Sequence, residues 1–390
     1  MKNSMAILFW IFLLVIFYTY LGYGIILYIL VKIKEFFVKR KEKLKPQELP
    51  EVTLFITAYN EEKIIEQKME NCRALSYPSE LLNIVWVTDG SDDGSVELLS
   101  AYADVKVLHK PGRNGKTAAM NRGMTLVESP IVVFTDANTF LNKEAILEIV
   151  YEFTNPKVGC VAGEKRVVSK EKDSATAGEG IYWKYESALK ELDYRLYSAV
   201  GAAGELFAVR KELYEPMPAD TLLDDFILSL KIAQKGYKIA YCSKAYAVET
   251  ASLNMNEEKK RKVRIAAGGL QSIWRLRGLF NIFRYGWLSF QFISHRVLRW
   301  TITPLLLLLL VPINIVLALR GDTFYMVALF LQVTFYLMAY AGYLFEKKQI
   351  KNKLLFIPYY FVFMNVNVLQ GFNYLLRNKG KGSWEKAKRE

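Results

Sequence analysis

Histidine and cysteine are scarce in this chain, which has only two histidines and three cysteines among its 390 residues. Cys72, Cys160 and Cys242 lie far apart and match none of the spacings of zinc sites or redox motifs, so a disulfide framework is not expected. The formal net charge of +13 is not accompanied by any nucleic-acid-binding motif. These absences argue against a thiol-based site and against nucleic acid as a partner.

Apolar residues are abundant instead, at 52% of the chain with 14% aromatics, which is more than an ordinary soluble domain carries. Residues 6–31 are almost uninterrupted apolar residues, long enough to span a hydrocarbon core of about 30 Å as a helix. A basic run follows, which places the end of this helix in the cytoplasm by the positive-inside rule; it consists of Lys32, Lys34, Lys39, Arg40, Lys41, Lys43 and Lys45. We therefore predict a transmembrane helix over 1–32 and a basic cytoplasmic linker over 33–48, not a cleaved signal peptide.

Three more apolar segments, at 300–319, 324–345 and 354–376, predict a C-terminal membrane region over 296–377 that is followed by a basic tail at 378–390. Three full crossings would place this tail outside, against the positive-inside rule. The last segment also carries polar residues whose exposure to lipid is costly, namely Asn365, Asn367, Gln370 and Asn373. The sequence leaves open whether this segment re-enters, lines a polar pathway or spans the membrane.

Residues 49–256 alternate between short apolar runs and helical patterns, which indicates an α/β domain with a mainly parallel sheet covered on both faces. Four runs, at 53–57, 84–88, 105–108 and 131–135, each end in polar residues. Ligands of such sheets bind beyond the carboxyl ends of the strands. The polar residues after these runs are therefore expected to share one edge of the sheet.

Each polar ending is weak evidence by itself. Asp89 opens a turn and could simply cap the next helix, and the basic glycine loop at 110–116 suits a phosphate but lacks the Walker spacing of a phosphate-binding loop. Asp136 and Asn138 could offer hard oxygens to a divalent cation or only stabilise a turn. Asp224 and Asp225 suit a helix start, and only one of them is expected to face a pocket. Together, in chain order, these residues describe a pocket for a metal-bound diphosphate.

Six motifs carry a resemblance to a known family: Thr57 to Glu61, Val87 to Ser91, Asn114 to Lys116, Phe134 to Asn138, Gly201 to Glu205 and Leu223 to Asp225. In this order they resemble the membrane-integrated family 2 glycosyltransferases with a GT-A catalytic domain, such as the hyaluronan, chitin, cellulose and poly-N-acetylglucosamine synthases. The resemblance covers nearly the whole chain. It implies inverting transfer of a sugar from a nucleotide-sugar donor, expected to be UDP-linked, to a growing cell-surface polysaccharide at the cytoplasmic face of a bacterial inner membrane. Transfer of a single sugar to a lipid carrier or glycolipid is the alternative, and accessory secretion subunits are conceivable partners.

The resemblance also implies roles for individual residues. The nucleotide sugar is expected to contact Ala58, Tyr59, Glu61, Asp89, Lys116 and Asp136. Asp136 and Asn138 are expected to bind Mg²⁺ or Mn²⁺. Asp225, beside Asp224, matches the general base that accepts the proton of the acceptor hydroxyl. The acceptor side is expected to include Gly204, Glu205, Arg261 and Arg264.

Two departures from the family pattern are visible. Asn138 stands where a second aspartate is common, and residues 261–265 keep a cation at Arg264 but lack the Gln and Trp of the Gln-x-x-Arg-Trp motif of processive synthases. Asn138 is the best support for a third hypothesis, an inactive membrane scaffold, against which Asp136 and Asp225 count. Residues 257–295 mix cations with apolar residues, which predicts amphipathic helices on the anionic membrane surface, a solvated linker helix being the alternative.

Overall fold

The computed structural model describes residues 2–38, 46–168, 174–348, 350 and 352–377. Lys39 to Lys45 of the basic run and the basic tail at 378–390 lie outside the described residues. Within them, eight strands form one sheet: β1 (Val52–Ala58), β2 (Leu82–Asp89), β3 (Val105–Lys110), β4 (Ile131–Asp136), β5 (Phe140–Leu141), β6 (Val158–Val168), β7 (Leu206–Arg210) and β8 (Lys238–Thr250). Their order across the sheet is β3-β2-β1-β4-β7-β6-β8-β5.

The helices that surround the sheet and extend into the apolar segments are α1 (Lys2–Phe17), α2 (Tyr23–Phe37), α3 (Glu62–Arg73), α4 (Ser95–Ser100), α5 (Lys116–Gly123), α6 (Ala145–Glu152), α7 (Ser174–Leu196), α8 (Asp224–Gln234), α9 (Met255–Arg275), α10 (Ile282–Tyr285), α11 (Trp287–Phe292), α12 (Leu298–Trp300), α13 (Ile302–Ala318), α14 (Thr323–Lys347) and α15 (Lys353–Arg377). A π-helical turn, Tyr18–Gly22, joins α1 to α2, and a second, Ile293–Val297, joins α11 to α12.

The predicted parallel strands form one half of the sheet. β1 pairs in parallel with β2 and with β4, and β2 pairs in parallel with β3. The other half is mixed, because β7 runs antiparallel between β4 and β6 while β6 and β8 are parallel. This arrangement brings the start of β7 to the same edge as the end of β4.

Alternation along the strands produces a core on each face of the sheet. Phe55 packs into one apolar cluster, whereas its neighbours Leu54 and Ile56 pack into the other. Successive residues of a strand point to opposite faces, so a continuous apolar run indicates burial on both sides. The first cluster continues into Ile273 of α9 and Phe292 of α11, so the segment after β8 packs on the same core as the sheet.

Among the described residues, three helical stretches are long and apolar enough to cross a membrane: Ser4–Phe37, Thr323–Lys347 and Lys353–Arg377. The pair Trp287–Trp300 and Ile302–Ala318 is bent by 50° and forms either a broken span or a re-entrant loop. The last apolar segment, which the sequence left open, is one continuous helix of 25 residues, and the break lies earlier, between α12 and α13.

The predicted amphipathic region at 257–295 forms α9, a 3₁₀ turn, α10, α11 and the second π-helical turn. α9 packs against α15, and its Arg261 and Lys262 are buried, not spread over a solvent-exposed face. The exposed apolar side chains come later, and the most exposed are Phe283, at 100%, and Trp274, at 70%. Arg261 and Lys262 therefore face the interior, where the candidate functional site lies, whereas Lys259 of the same helix is exposed.

Candidate functional site

A cavity of about 400 Å³ opens at the carboxyl edge of the parallel strands. The register places Thr57 beside Asp136 and Ala58 beside Thr88, so the polar residues after β1, β2 and β4 converge there as predicted. All of the residues singled out from the sequence line this one cavity: Ala58, Tyr59, Glu61, Asp89, Lys116, Asp136, Asn138, Gly204, Glu205, Asp224, Asp225, Arg261 and Arg264.

The loop after β1 forms one side of the cavity. Asn60 adopts a left-handed conformation with φ 52°, which asparagine tolerates better than most residues, and this turns the chain between β1 and α3. The Asn60 side chain donates to Asp92 at 2.7 Å. On the cavity side, the Arg113 guanidinium stacks 3.9 Å from the ring of Tyr59. A flat aromatic and cationic surface of this kind is suited to a nucleobase.

Asp89 holds the basic glycine loop. Its Oδ2 accepts hydrogen bonds from the backbone amides of Asn114, at 2.8 Å, and Gly115, at 2.6 Å. Its Oδ1 lies 3.4 Å from Arg122. Gly90, at φ 72°, allows the loop to approach, because a Cβ there would lie 2.7 Å from the amide nitrogen of Arg113. In this structure Asp89 therefore positions the loop that precedes Lys116.

Lys116, the first residue of α5, contacts an aspartate at the end of β4 and another at the start of α8. Its Nζ lies 2.7 Å from Asp136 Oδ1 and 3.7 Å from Asp224 Oδ2. Burial opposes the charged form of Lys116, but the carboxylates of Asp136, Asp224 and Asp225 outweigh it and raise the pKa of the lysine. A permanent positive charge thus lies among the carboxylates at the sheet edge.

Asp224 and Asp225 begin α8, and both line the cavity, so the expectation that only one of them would face a pocket was wrong. The cavity surrounds the first residues of α8, so the side chains of two adjacent residues can both line it. Burial and the neighbouring charge of Asp224 raise the pKa of Asp225 to about 7. A carboxylate with a pKa near neutrality is suited to exchanging protons.

The segment Gly201 to Glu205 forms the floor between these groups. Gly201 has φ 86°, and a Cβ there would lie 2.2 Å from the Phe226 ring. At Gly204 a Cβ would lie 3.1 Å from Lys116 Nζ and 3.5 Å from Asp225 Oδ2. The absence of a side chain at Gly204 therefore leaves room directly beside the lysine and the aspartate.

Beyond Gly204 the cavity is bordered by ion pairs that sequence reasoning did not find. Lys165, on β6, donates to both Glu205 and Glu249. Burial opposes ionisation of Glu205, but Lys165 outweighs it and lowers the pKa of Glu205. Arg261 lies 3.1 Å from Glu258 on its own helix.

Other lining residues were also missed: Arg113, Trp183, Glu186, Lys190, Lys262, Arg296, Trp300 and Met364. They come from the basic loop, α7, α9, the second π-helical turn, α12 and α15. The only signal available in the sequence was the concentration of cations and aromatics near the apolar segments. Their position around one cavity depends on how the membrane-proximal helices pack on the sheet.

The cavity offers part of a cation site. Among the residues that the structure describes, no group of three His, Cys, Asp or Glu side chains is close enough together to hold a metal ion. Asp136 and Asn138 supply oxygens, and Asp224 Oδ2 is buried without a hydrogen-bond partner in the described part. Mg²⁺ usually takes one or two carboxylates and completes its shell with waters and substrate phosphates. This donor set therefore fits a divalent cation that arrives with a diphosphate.

Comparisons with known proteins agree with this fold. Residues 53–217 match the sequence profile of Glycosyl transferase family 2. The chain is 26% identical over 248 residues to the poly-beta-1,6-N-acetyl-D-glucosamine synthase of Staphylococcus aureus (strain COL), in an alignment covering 61% of this chain and 59% of that protein. It is 27% identical over 219 residues to the probable glycosyltransferase YdaM of Bacillus subtilis (strain 168), covering 52% of this chain and 51% of that protein. The chain thus spans between one half and three fifths of the length of these relatives.

A solved structure shares the fold over almost the full length. The mannosyltransferase PcManGT from Pyrobaculum calidifontis, solved in complex with GDP-Man and Mn²⁺, superposes with a TM-score of 0.72 at 20% identity, covering 95% of this chain and 99% of that chain. This likeness confirms the predicted GT-A fold with apolar helices at both ends of the chain. The profile match covers β1 to β7 and the acidic endings of β2 and β4, so this part of the chain is similar to the family 2 glycosyltransferases.

Proposed function

We propose that this protein transfers a sugar from a nucleotide-sugar donor to a membrane-associated acceptor, with inversion at the anomeric carbon. The observation that carries the proposal is that Lys116 and Asp225 lie beside Gly204 in one cavity, with Asp136 2.7 Å from the Lys116 ammonium. One bound substrate could therefore contact all three: Lys116 as a cation for the diphosphate, Asp136 as an oxygen ligand for a metal and Asp225 as a proton acceptor. Burial and the charge of Asp224 raise the pKa of Asp225, which supports its proposed role as a proton acceptor.

The donor is proposed to occupy the half of the cavity formed by the loops after β1 and β2. Tyr59 and Arg113 would hold the base, and Lys116 would lie along the diphosphate. Asp136 and Asn138 would hold Mg²⁺ or Mn²⁺, which supplies additional positive charge against the departing nucleoside diphosphate when it is bound. We propose a UDP-linked sugar as the donor. GDP-mannose belongs among the donors to be tested, because PcManGT was solved with GDP-Man.

Asp225 is proposed as the general base. It would accept the proton of the acceptor hydroxyl while that oxygen attacks the anomeric carbon from the face opposite the leaving diphosphate. Asp224 supports this role, because its charge helps to raise the pKa of Asp225. Gly204 leaves the space in which the attacking hydroxyl can approach both groups.

The acceptor is proposed to be a growing cell-surface polysaccharide, in line with the name of the Staphylococcus aureus relative. A second candidate is single transfer to a lipid-linked acceptor. It is favoured by the position of Arg296, Trp300 and Met364, which line the cavity where it borders the membrane-proximal helices. The catalytic domain is proposed to lie on the cytoplasmic side of a bacterial plasma membrane, next to the basic run that follows α2.

The test is turnover of the purified full chain in detergent against a panel of UDP- and GDP-sugars, with Mg²⁺ or Mn²⁺ and with membrane lipid extract as acceptor source. We expect one donor to release nucleoside diphosphate only with a divalent cation present. Product analysis then separates the two acceptors, because a ladder of oligosaccharides indicates polymerisation and one lipid-linked product indicates single transfer. Failure to bind or turn over any nucleotide sugar would contradict the proposal.

A further inference from the structure

Lys68 is a lysine in the core of the protein that lies outside the motifs of the site. It belongs to the second turn of α3, the helix that follows the loop of Tyr59 and Glu61, and its side chain is fully buried. A buried ammonium group costs free energy unless it is hydrogen-bonded. Its hydrogen bonds therefore indicate which part of the structure it stabilises.

The Lys68 ammonium contacts the turn that connects β4 to β5. Its Nζ donates to the backbone carbonyl of Thr139 at 2.5 Å and lies 3.4 Å from the Thr135 hydroxyl. This turn begins at Asp136 and includes Asn138, the two residues that are proposed to bind the cation. Lys68 thus ties α3 to the end of the turn that carries both proposed ligands.

Two threonines extend this contact along the turn. The Thr139 hydroxyl lies 2.9 Å from both the Thr135 hydroxyl and the Asp136 carbonyl. The Thr135 hydroxyl donates to the Glu205 carbonyl at 2.9 Å, which connects the turn to the floor of the cavity. Both threonines are buried, as Lys68 is. The lysine and the two hydroxyls therefore form one buried polar group that fixes both ends of the turn.

The position of this turn matters for a divalent cation. Asp136 and Asn138 line the cavity, and the Asp136 carboxylate already contacts the ammonium of Lys116 at 2.7 Å. Mg²⁺ demands a near-ideal octahedral arrangement of its oxygens. Groups that orient the ligands of a metal without touching it commonly change metal affinity about 10- to 100-fold. A buried contact that fixes the turn is therefore expected to affect the binding of the ion.

We propose that Lys68 is a positioning residue for the divalent cation: it holds the turn through the Thr139 carbonyl and so places the oxygens of Asp136 and Asn138 for the ion that accompanies the donor diphosphate. The inference rests on the proposed transferase function and adds to it a residue of α3 that lies outside the motifs. Lys68 itself is not a ligand of the ion.

The experiment measures two affinities of the purified full chain in detergent. Electron paramagnetic resonance reports the binding of Mn²⁺ in the presence of UDP, and isothermal titration calorimetry reports the binding of UDP without a divalent cation. The variant is Lys68→Met, which keeps a long flexible side chain and removes the ammonium. We expect Mn²⁺ to bind about tenfold more weakly, whereas UDP alone should bind within about twofold of the unmodified chain.

Three further variants separate positioning from loss of packing. Met69→Ala removes a buried apolar side chain next to Lys68, so it should lower the melting temperature and leave the Mn²⁺ affinity within about twofold. Lys63→Met, at an exposed position of the same helix, should change neither affinity. Thr135→Val removes a hydroxyl from the same polar group and should weaken Mn²⁺ binding too; this variant decides the question if Lys68→Met does not fold.

An unchanged Mn²⁺ affinity in Lys68→Met would overturn the inference. An equal fall in UDP affinity with and without Mn²⁺, or an equal loss of Mn²⁺ affinity in Met69→Ala, would overturn it too, because either result indicates a purely structural role. If Mn²⁺ and Mg²⁺ do not strengthen UDP binding to the unmodified chain, no ion is positioned and the inference is wrong while the nucleotide site stands. If the unmodified chain binds no UDP under any of these conditions, the proposed function itself fails.

Discussion

His295 donates to Asp193: the two buried side chains approach to 2.6 Å between Nδ1 and Oδ2. The other ring nitrogen of His295 lies 3.3 Å from Glu186, which in turn lies 2.6 Å from Arg296 at the cavity. Asp193 also accepts from the hydroxyl of Tyr23 in α2. A network of polar side chains therefore connects the first apolar helical stretch to the candidate functional site. Each side chain in this polar network has its polar partners among the other side chains of the network.

We predict that His295→Phe destabilises the protein by about 3 kcal/mol, because it removes a hydrogen-bond donor from buried Asp193 and the imidazole nitrogen that lies beside buried Glu186. Thermal unfolding of the detergent-solubilised chain checks this. The matched control is His109→Phe, which replaces the only other histidine, exposed on β3, and should change the melting temperature little. An equal fall in melting temperature in the two variants would show that the polar network around His295 does not contribute to stability more than an exposed histidine does.

Asp225 leads to a prediction on pH. Because its pKa is raised to about 7, the basic form is lost as the pH falls through this value, and kcat/KM should fall about tenfold per pH unit below it. Asp225→Asn should lower kcat by at least about a hundredfold and leave nucleotide binding in place. Substantial residual turnover of Asp225→Asn would remove this residue as the base.

Asp224 provides a finer test of the same site. Its charge is one of the causes that raise the pKa of Asp225, so Asp224→Asn should move the midpoint of the kcat/KM profile to lower pH.

The same raised pKa of Asp225 predicts how the stability of the protein depends on pH. A carboxylate whose pKa is raised on folding stabilises the protein most at pH values below its unfolded pKa, and this contribution disappears as the pH rises through about 7. Asp225→Asn should therefore raise the melting temperature more at pH 8 than at pH 4. An unchanged pH midpoint in Asp224→Asn would contradict the coupling.

The pair of Asp136 and Lys116 predicts the metal dependence. Asp136→Ala removes the carboxylate that Lys116 contacts at 2.7 Å and that is proposed to bind the cation. We expect weaker donor binding in the presence of Mg²⁺ or Mn²⁺ and little change in the residual binding without a divalent cation, measured by titration with UDP. If Asp136→Ala retains the full effect of the cation, the metal is held by other residues.

Two glycines of the same loop should behave differently. In Gly204→Ala the new methyl group would crowd Lys116 Nζ, a flexible tip that can move, so turnover should fall several-fold while stability changes by less than about 1 kcal/mol. In Gly201→Ala the methyl group would meet the Phe226 ring at 2.2 Å in a left-handed conformation, so a loss of about 2 kcal/mol or more is expected. Denaturant melts and kinetic assays on both variants separate site crowding from misfolding, and a reversed pattern would contradict this interpretation of the loop.

The bend between α12 and α13 leads to a prediction on topology. α13 has 17 residues, which span about 26 Å as a helix, less than a hydrocarbon core of about 30 Å. If the bent pair is re-entrant, Ser4–Phe37, Thr323–Lys347 and Lys353–Arg377 are the crossings, and the tail at 378–390 returns to the side of the catalytic domain. This agrees with its basic composition. Labelling of a single cysteine introduced into the tail and of another at exposed Lys184, by a membrane-impermeant reagent, should give the same sidedness; opposite sidedness would show that the pair spans.

The acidic edge could be predicted from the sequence because it depends on a local rule. Parallel strands end at the same edge, so Asp89 and Asp136 were expected to share that edge once their strands were identified; in the sheet β1 lies between them. Lys190 and Arg296 follow no such rule, because they lie on α7 and on a π-helical turn far along the chain. The same holds for Lys68, which is fully buried and donates to the backbone of Thr139 at 2.5 Å. A lysine in a helical pattern ordinarily indicates solvent, and only tertiary packing shows the opposite.

The antiparallel pairing in the other half of the sheet could not be predicted from the sequence either. β7 follows the glycine-containing floor directly, and its short apolar run gives no indication that it will insert between β4 and β6. The pairing of Thr135 with Leu206 is what brings Glu205 beside Asp136, and Thr135 donates to the Glu205 carbonyl at 2.9 Å. The motifs therefore picked out residues that line one cavity, while the reason for their proximity came from strand order.

Met364, Trp300 and Arg296 complete the wall of the cavity from outside residues 53–217, which match the family 2 profile. Without α9 to α15 that side of the cavity would open to bulk water, and the apolar cluster on one face of the sheet would lose Ile273 and Phe292. The segments after β8 therefore enclose the cavity and complete the core of the sheet, in addition to supplying candidate membrane spans.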